Sequence, residues 1–155
     1  MIRVESFDLD HNAVKAPYVR LAGTEENGGA KVSKYDLRFL QPNGETLPTG
    51  ALHSIEHFLA FYMREALDGV IDCSPMGCRT GFYMVIWGEH ESRDIAKALH
   101  ESLEKITQAT HVEATTAKEC GNYKDHSLFG AQEYAKQVLA AGISMDPFER
   151  KVWNR

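Results

Sequence analysis

Apolar side chains recur along this chain at two periods, every second residue or every third to fourth, and the changes between them mark out its elements. Residues 4–9, with Val4, Phe7 and Leu9 apolar, read as a first strand broken by Asp10-His11-Asn12. Residues 16–21 form a second extended piece, which Pro17 places at an edge or a strand start. Residues 24–29 end in Asn27-Gly28-Gly29 and have the composition of a turn. In 32–40, Val32, Tyr35, Leu37 and Phe39 mostly alternate with Ser33, Lys34, Asp36 and Arg38, so this stretch pairs with the second as an antiparallel hairpin. The period then changes. Leu52, Ile55, Leu59, Tyr62, Met63 and Ala66 predict a helix over 50–67, capped by Thr49 and ended before Asp68-Gly69. It is apolar almost all round, which predicts burial.

Residues 70–73 read as a short strand running into the Pro/Gly loop 74–78, and 81–88 as a continuous apolar strand at the centre of a sheet. A helix capped by Ser92 follows to 108, with Ile95, Leu99, Leu103 and Ile106 as its stripe. Residues 110–120 show no decisive period, and Cys120-Gly121-Asn122 marks a turn. A third helix spans 127–141, capped by Ser127 and stopped by Gly142, while the tail from Ile143 carries Pro147 and Trp153 without pattern. Tyr35, Phe82, Tyr83 and Trp87 are expected in the core. Hairpins alternating with helices predict an α+β fold, an antiparallel sheet packed against helices in a single domain over 1–155.

Composition narrows the function. With 155 residues, 43% hydrophobic and 25% charged, the chain has the make-up of a globular domain with its own core. Its net charge is -5, and Lys31, Lys34 and Lys124 are scattered, so no nucleic-acid partner is expected. No apolar run approaches membrane-spanning length, and the opening Met1-Ile2-Arg3-Val4-Glu5 lacks the apolar core of a secretory leader, so a cytoplasmic protein without a membrane partner is expected. Cys73, Cys78 and Cys120 are an odd number, expected as reduced thiols available for metal binding or catalysis.

The chemistry begins in the first long helix. His53-Ser54-Ile55-Glu56-His57 reads H-x-x-E-H. Residues four apart on a helix share a face, so His53 and His57 can hold one divalent ion, and Glu56 beside them can move protons on whatever the ion binds. Inverted zinc peptidases carry the same pattern. Two histidines do not close a site, and both Cys120, in a polar turn, and Cys78, on the Pro/Gly loop, are candidates for the third ligand. If both thiols joined the histidines, the site would be four-coordinate and inert. Cys73 lies in an apolar strand and reads as core.

Five stretches together carry a family resemblance: Val4-Glu5-Ser6-Phe7-Asp8-Leu9-Asp10-His11, Lys34-Tyr35-Asp36-Leu37-Arg38-Phe39, the H-x-x-E-H helix, Ser74-Pro75-Met76-Gly77-Cys78 and Glu119-Cys120-Gly121. In this order and spacing the chain resembles the LuxS-type S-ribosylhomocysteine lyases from residue 4 to about 141. The resemblance implies a LuxS/MPP-like metallohydrolase fold and a homodimer with its sites at the interface. It implies His53, His57 and Cys120 as ligands of one metal ion per subunit, Fe²⁺ with Zn²⁺ or Co²⁺ as substitutes. Glu56 and Cys78 carry over as the acid/base pair, and Ser6, His11, Arg38 and Asp72 as the substrate pocket.

The reaction implied is cleavage of the thioether of S-ribosylhomocysteine to homocysteine and 4,5-dihydroxy-2,3-pentanedione, the autoinducer-2 precursor. A thioether at C5 leaves by β-elimination only when a carbonyl stands at C3, so the carbonyl has to migrate there from C1. Each migration removes a proton beside a carbonyl and returns it one carbon along, which suits a thiolate at Cys78 and a carboxylate at Glu56. Two rivals remain beside the lyase: an inverted zinc peptidase, and a non-catalytic domain with a closed Cys/His site.

Overall fold

The computed structural model describes residues 1–155. Its sheet is antiparallel, built from β1 (Tyr18–Asn27), β2 (Ala30–Arg38), β3 (Val70–Pro75) and β4 (Gly81–Trp87) in the spatial order β1-β2-β4-β3. The expected hairpin is β1-β2, with Val19 opposite Leu37 and Leu21 opposite Tyr35. Its turn is tighter than the composition of 24–29 suggests. Only Gly28 and Gly29 turn, both at positive φ (58° and 81°), and the strand runs on to Asn27. A two-residue hairpin needs such φ values to follow the strand twist. Thr24, Glu25 and Glu26 are exposed, so their polarity reports solvent and not a break in the ladder. The apolar strand at 81–88 is internal as expected, pairing with β2 through Leu37 opposite Phe82 and with β3 through Cys73 opposite Met84.

Of the three long helices, α2 (Thr49–Ala66) and α3 (Ser92–Gln108) pack on the sheet, and α4 (Leu128–Ala141) packs against both of them. Ile55, Leu59 and Met63 of α2 meet Ile95, Leu99 and Leu103 of α3 and the sheet residues Tyr35, Met84 and Ile86 in one apolar cluster. The molecule is a single α+β domain. The tail joins that core as well. Ser144 bridges both Tyr18 and Val152, and the Trp153 side chain is buried.

Several expectations are corrected. Residues 4–9 form no strand; α1 is the single helical turn Glu5–Asp8, with Val4 O accepting from the amides of Phe7 and Asp8. Val4, Phe7 and Leu9 do not keep a strand's period of two, and Val4 and Phe7 are exposed. Thr49 and Ser92 cap nothing. Each opens its helix, with Pro48 and Glu91 in the cap positions and no side-chain bond there. Ser127 does cap α4, its Oγ accepting from the Gly130 amide at 2.9 Å, and Gly142 ends that helix at a φ of 81°. Trp87 lies at the exposed end of β4 and Tyr83 is only half-buried. Helix α2 is amphipathic, with Phe61, Arg64 and Glu65 exposed and His53, Glu56 and His57 half-buried on a flank.

The opposite face of β1-β2 carries a buried ion network. Strand alternation puts Tyr18, Arg20, Asp36 and Arg38 on one side. Asp36 accepts from the Tyr18 hydroxyl at 3.2 Å, from Arg20 Nε at 3.2 Å and from Arg38 Nη2 at 2.9 Å. Arg20 reaches on to Glu5, which ties down α1. Arg38 is 2% exposed. Asp36→Ala leaves two guanidinium groups facing each other without a countercharge. We expect it to cost about 3–5 kcal/mol, read as a lowered urea midpoint.

Candidate active site

Two ring orientations define the centre. His53 and His57 lie one turn apart on α2. His53 Nδ1 donates to the Asp125 carbonyl at 2.8 Å and His57 Nδ1 to the Glu113 carbonyl at 2.9 Å. A carbonyl only accepts, so each Nδ1 carries the hydrogen and each Nε2 keeps its lone pair. Both Nε2 atoms turn to the Cys120 sulfur, at 3.3 Å and 3.8 Å. Tetrahedral coordination with ordinary zinc–sulfur and zinc–nitrogen bonds puts sulfur and nitrogen about 3.6 Å apart. The two histidines and the thiol therefore fit one divalent metal ion. Cys120 is held by its own turn, its amide donating to Thr116 O at 3.0 Å. The stretch 110–120, without a decisive period, and the turn after it supply the thiol and both orienting carbonyls.

A fourth side chain, missed in the sequence, stands beside them. His126 Nε2 is 3.7 Å from the Cys120 sulfur, and the four ligand-type atoms of His53, His57, Cys120 and His126 all lie within 4.8 Å of one another. Its ring stacks on that of His53 with centroids 3.8 Å apart. Burial, then repulsion from His53 and His57, pushes its pKa down to about 4. One signal was available: Cys120 and His126 flank a short polar loop that ends at the Ser127 cap, so both have to lie near the start of α4. Cys78 is not part of this cluster, so the closed site built from both thiols is not what the fold forms.

The remaining predicted residues fall into two cavities. One, of about 370 Å³, is lined by Glu56, His57, Arg64, Asp72 and Ser74, which sets Glu56 beside a histidine of the cluster. Asp72 on β3 accepts from the Ser74 hydroxyl. Cys73 between them is buried as expected, which raises its thiol pKa to about 12. The other cavity, of about 340 Å³, is lined by Ser6, His11, Arg38, Cys78 and Tyr83. Here Arg38 Nη1 donates to Thr80 Oγ1 at 3.1 Å, and Thr80 Oγ1 meets the Cys78 sulfur at 3.1 Å. His11 is held by Leu9 O, 2.8 Å from its Nδ1. The cavities share no lining residue, so within one chain Cys78 and Glu56 do not face one space.

Comparison with known proteins agrees with this geometry. The sequence model of the S-ribosylhomocysteinase (LuxS) family matches residues 4–149. An S-ribosylhomocysteine lyase of Enterococcus faecalis is 67% identical over 150 residues, 97% of this chain and 99% of that protein. That of Ligilactobacillus salivarius is 59% identical over 98% of this chain and 99% of its own. That of Bifidobacterium longum subsp. infantis is 61% identical over 96% of this chain and 93% of its own. With nearly its whole length matched and its histidine pair and thiol converging on one point, the chain belongs to the S-ribosylhomocysteinase (LuxS) family.

Proposed function

We propose that this chain cleaves S-ribosylhomocysteine to homocysteine and 4,5-dihydroxy-2,3-pentanedione, and so makes the autoinducer-2 precursor. The observation that carries the reading is the approach of His53 Nε2 and His57 Nε2 to the Cys120 sulfur with Glu56 on the next cavity wall, in a chain of this family. A helix bearing H-x-x-E-H against an antiparallel sheet also suits a LuxS/MPP-like metallohydrolase fold. The ligand set is two imidazoles and one thiolate, which accepts Fe²⁺, Zn²⁺ or Co²⁺. Fe²⁺ is our choice for the cell, following the family. The protein would work in the cytoplasm, on a small-molecule substrate and with no nucleic-acid or membrane partner.

The metal ion, when bound, supplies Lewis-acid stabilisation of the negative charge that builds on the sugar oxygens. The chain's own groups handle the protons. Cys78, as thiolate, takes the proton from the carbon beside the carbonyl and returns it to the neighbouring carbon, first moving the carbonyl from C1 to C2 and then to C3. Glu56 carries protons between the oxygens. Loss of the C4 proton then expels homocysteine thiolate from C5, which takes up a proton. The C4–C5 enol left behind ketonises by gaining a proton at C5 and losing its hydroxyl proton to give the diketone. Ser6, His11, Arg38 and Asp72 bind the substrate's hydroxyls and amino-acid end.

These roles need Cys78 and Glu56 in one space, and that is the argument for a homodimer. Each chain offers two half-sites, and exposed apolar side chains such as Phe7, Phe61 and Phe129 offer surface for a second copy to cover. In the dimer the Ser6/His11/Arg38/Cys78 cavity of one copy would close over the metal centre of the other.

The test is release of thiol from S-ribosylhomocysteine by metal-loaded protein. An inverted peptidase would cleave peptides instead, and a closed site would do neither. In the same assay Glu56→Gln, which keeps the shape of the side chain and removes its basicity, is expected to lower turnover by about 10²–10⁴-fold. Unchanged thiol release would take Glu56 out of the mechanism.

A further inference from the structure

The four-member cluster admits two arrangements with opposite consequences. If His126 coordinates the metal with His53, His57 and Cys120, the shell is closed by protein. If it does not, one position stays open to substrate. The hydrogen bonds around His126 decide between them.

Ser54 is fully buried on α2, directly after His53. Its Oγ accepts from the Ser127 amide at 2.9 Å and lies 3.0 Å from His126 Nδ1. The hydroxyl hydrogen meets one acceptor, and that is Nδ1. A nitrogen that accepts a hydrogen bond carries no hydrogen, so in the neutral ring the hydrogen sits on Nε2. Nε2 is the atom facing the Cys120 sulfur at 3.7 Å. His126 thus reverses the pattern of its neighbours. Carbonyls at the Nδ1 atoms of His53 and His57 leave their Nε2 lone pairs free, whereas a hydroxyl at Nδ1 of His126 leaves its Nε2 protonated.

One ring pair bears on the same question. Two imidazoles bound to one tetrahedral ion radiate from it, with centroids about 5 Å apart. His53 and His57 are 4.7 Å apart and nearly perpendicular, at 84°. His57 and His126 are also splayed, 4.6 Å apart at 72°, but His53 and His126 are 3.8 Å apart and inclined by only 26°, stacked face to face, closer than two ligands of one tetrahedral ion stand.

We infer that His126 is a positioning residue outside the coordination shell, an Nε2–H donor to the Cys120 thiolate whose tautomer is set by Ser54. The inference rests on the metal-centre reading above and deepens it. A hydrogen bond to the sulfur fixes its direction toward the ion and so holds the third ligand in place. It also leaves the fourth position free, as a lyase requires and a closed structural site would not allow.

The direct test is the histidine tautomers of the zinc-loaded wild-type protein, labelled with ¹⁵N and read by long-range proton–nitrogen correlation. We expect His53 and His57 to show Nδ1–H and a metal-bound Nε2, and His126 to show Nε2–H and a bare Nδ1. A metal-bound Nε2 on His126 overturns the inference while sparing the metal centre. Failure of the wild-type protein to bind zinc removes both. As a second readout, His126→Phe keeps a stacking ring without the donor and should lower zinc affinity by about 10–100-fold in chelator competition, whereas His126→Gln, which restores an N–H, should recover part of the loss. Equal affinity in all three proteins would overturn the role.

Discussion

Cys78→Ala should leave a folded, metal-loaded and inactive protein. Cys78 is exposed and stands outside the His/Cys cluster, so its removal empties no core and takes no ligand from the metal. Its contact with Thr80 is dispensable, because Thr80 still accepts from Arg38. The chemistry is a different matter. A proton taken from one carbon and returned to the next needs a base on that face of the sugar, and loss of such a group costs about 10²–10⁴-fold. Because the proposed reaction uses Cys78 in both carbonyl migrations, we expect the upper end of that range. The measurement is thiol release beside metal content and the urea midpoint. Full turnover with metal retained would take Cys78 out of the reaction.

Cys120→Ala should fail at the opposite point, losing the metal before any chemistry. The thiolate is the one anionic donor among the three proposed ligands, and without it two neutral imidazoles would be left to hold a dication. The loss should exceed the about 10–100-fold typical of removing a group that only orients a ligand. Equilibrium dialysis against Zn²⁺ or Co²⁺ reads it, and a metal stoichiometry equal to wild type would count against Cys120 as a ligand. The two variants also test the dimer together. If the Cys78 cavity of one copy closes over the metal centre of another, mixing inactive Cys78→Ala with inactive Cys120→Ala lets hybrid dimers assemble one site with both residues intact. Thiol release should then return on mixing. Persistent inactivity in a mixture shown to exchange subunits would place both residues in one chain's site.

Much of this was readable along the chain because the chemistry lies in short local patterns. A helix fixes which of its residues share a face, so H-x-x-E-H already joined His53, Glu56 and His57. Alternation over residues 32–40 and the apolar run after Gly81 marked the inner strands, because a buried face imposes its period on the side chains. Where that pressure is absent, reading failed. Residues 4–9 are a surface turn of helix, and Glu25 and Glu26 extend a solvent-facing hairpin, so neither stretch shows the periodicity of a packed element. Thr49 and Ser92 misled for a related reason: a capping residue type does not say whether its hydroxyl finds an amide or simply opens the next turn.

The sequence by itself determined the two histidines, the glutamate beside them, the antiparallel hairpin and, through five ordered motifs, the family. Only the tertiary structure decided which thiol joins the histidines, because Cys120 is 63 residues from His57 and reaches it along a loop with no period to read. It also decided that Cys78 faces a different cavity from Glu56, and that His126 belongs at the centre. Whether a histidine is a ligand or a donor depends on what its second nitrogen meets. For His53, His57 and His126 those partners, Asp125 O, Glu113 O and Ser54 Oγ, come from segments that only folding brings together.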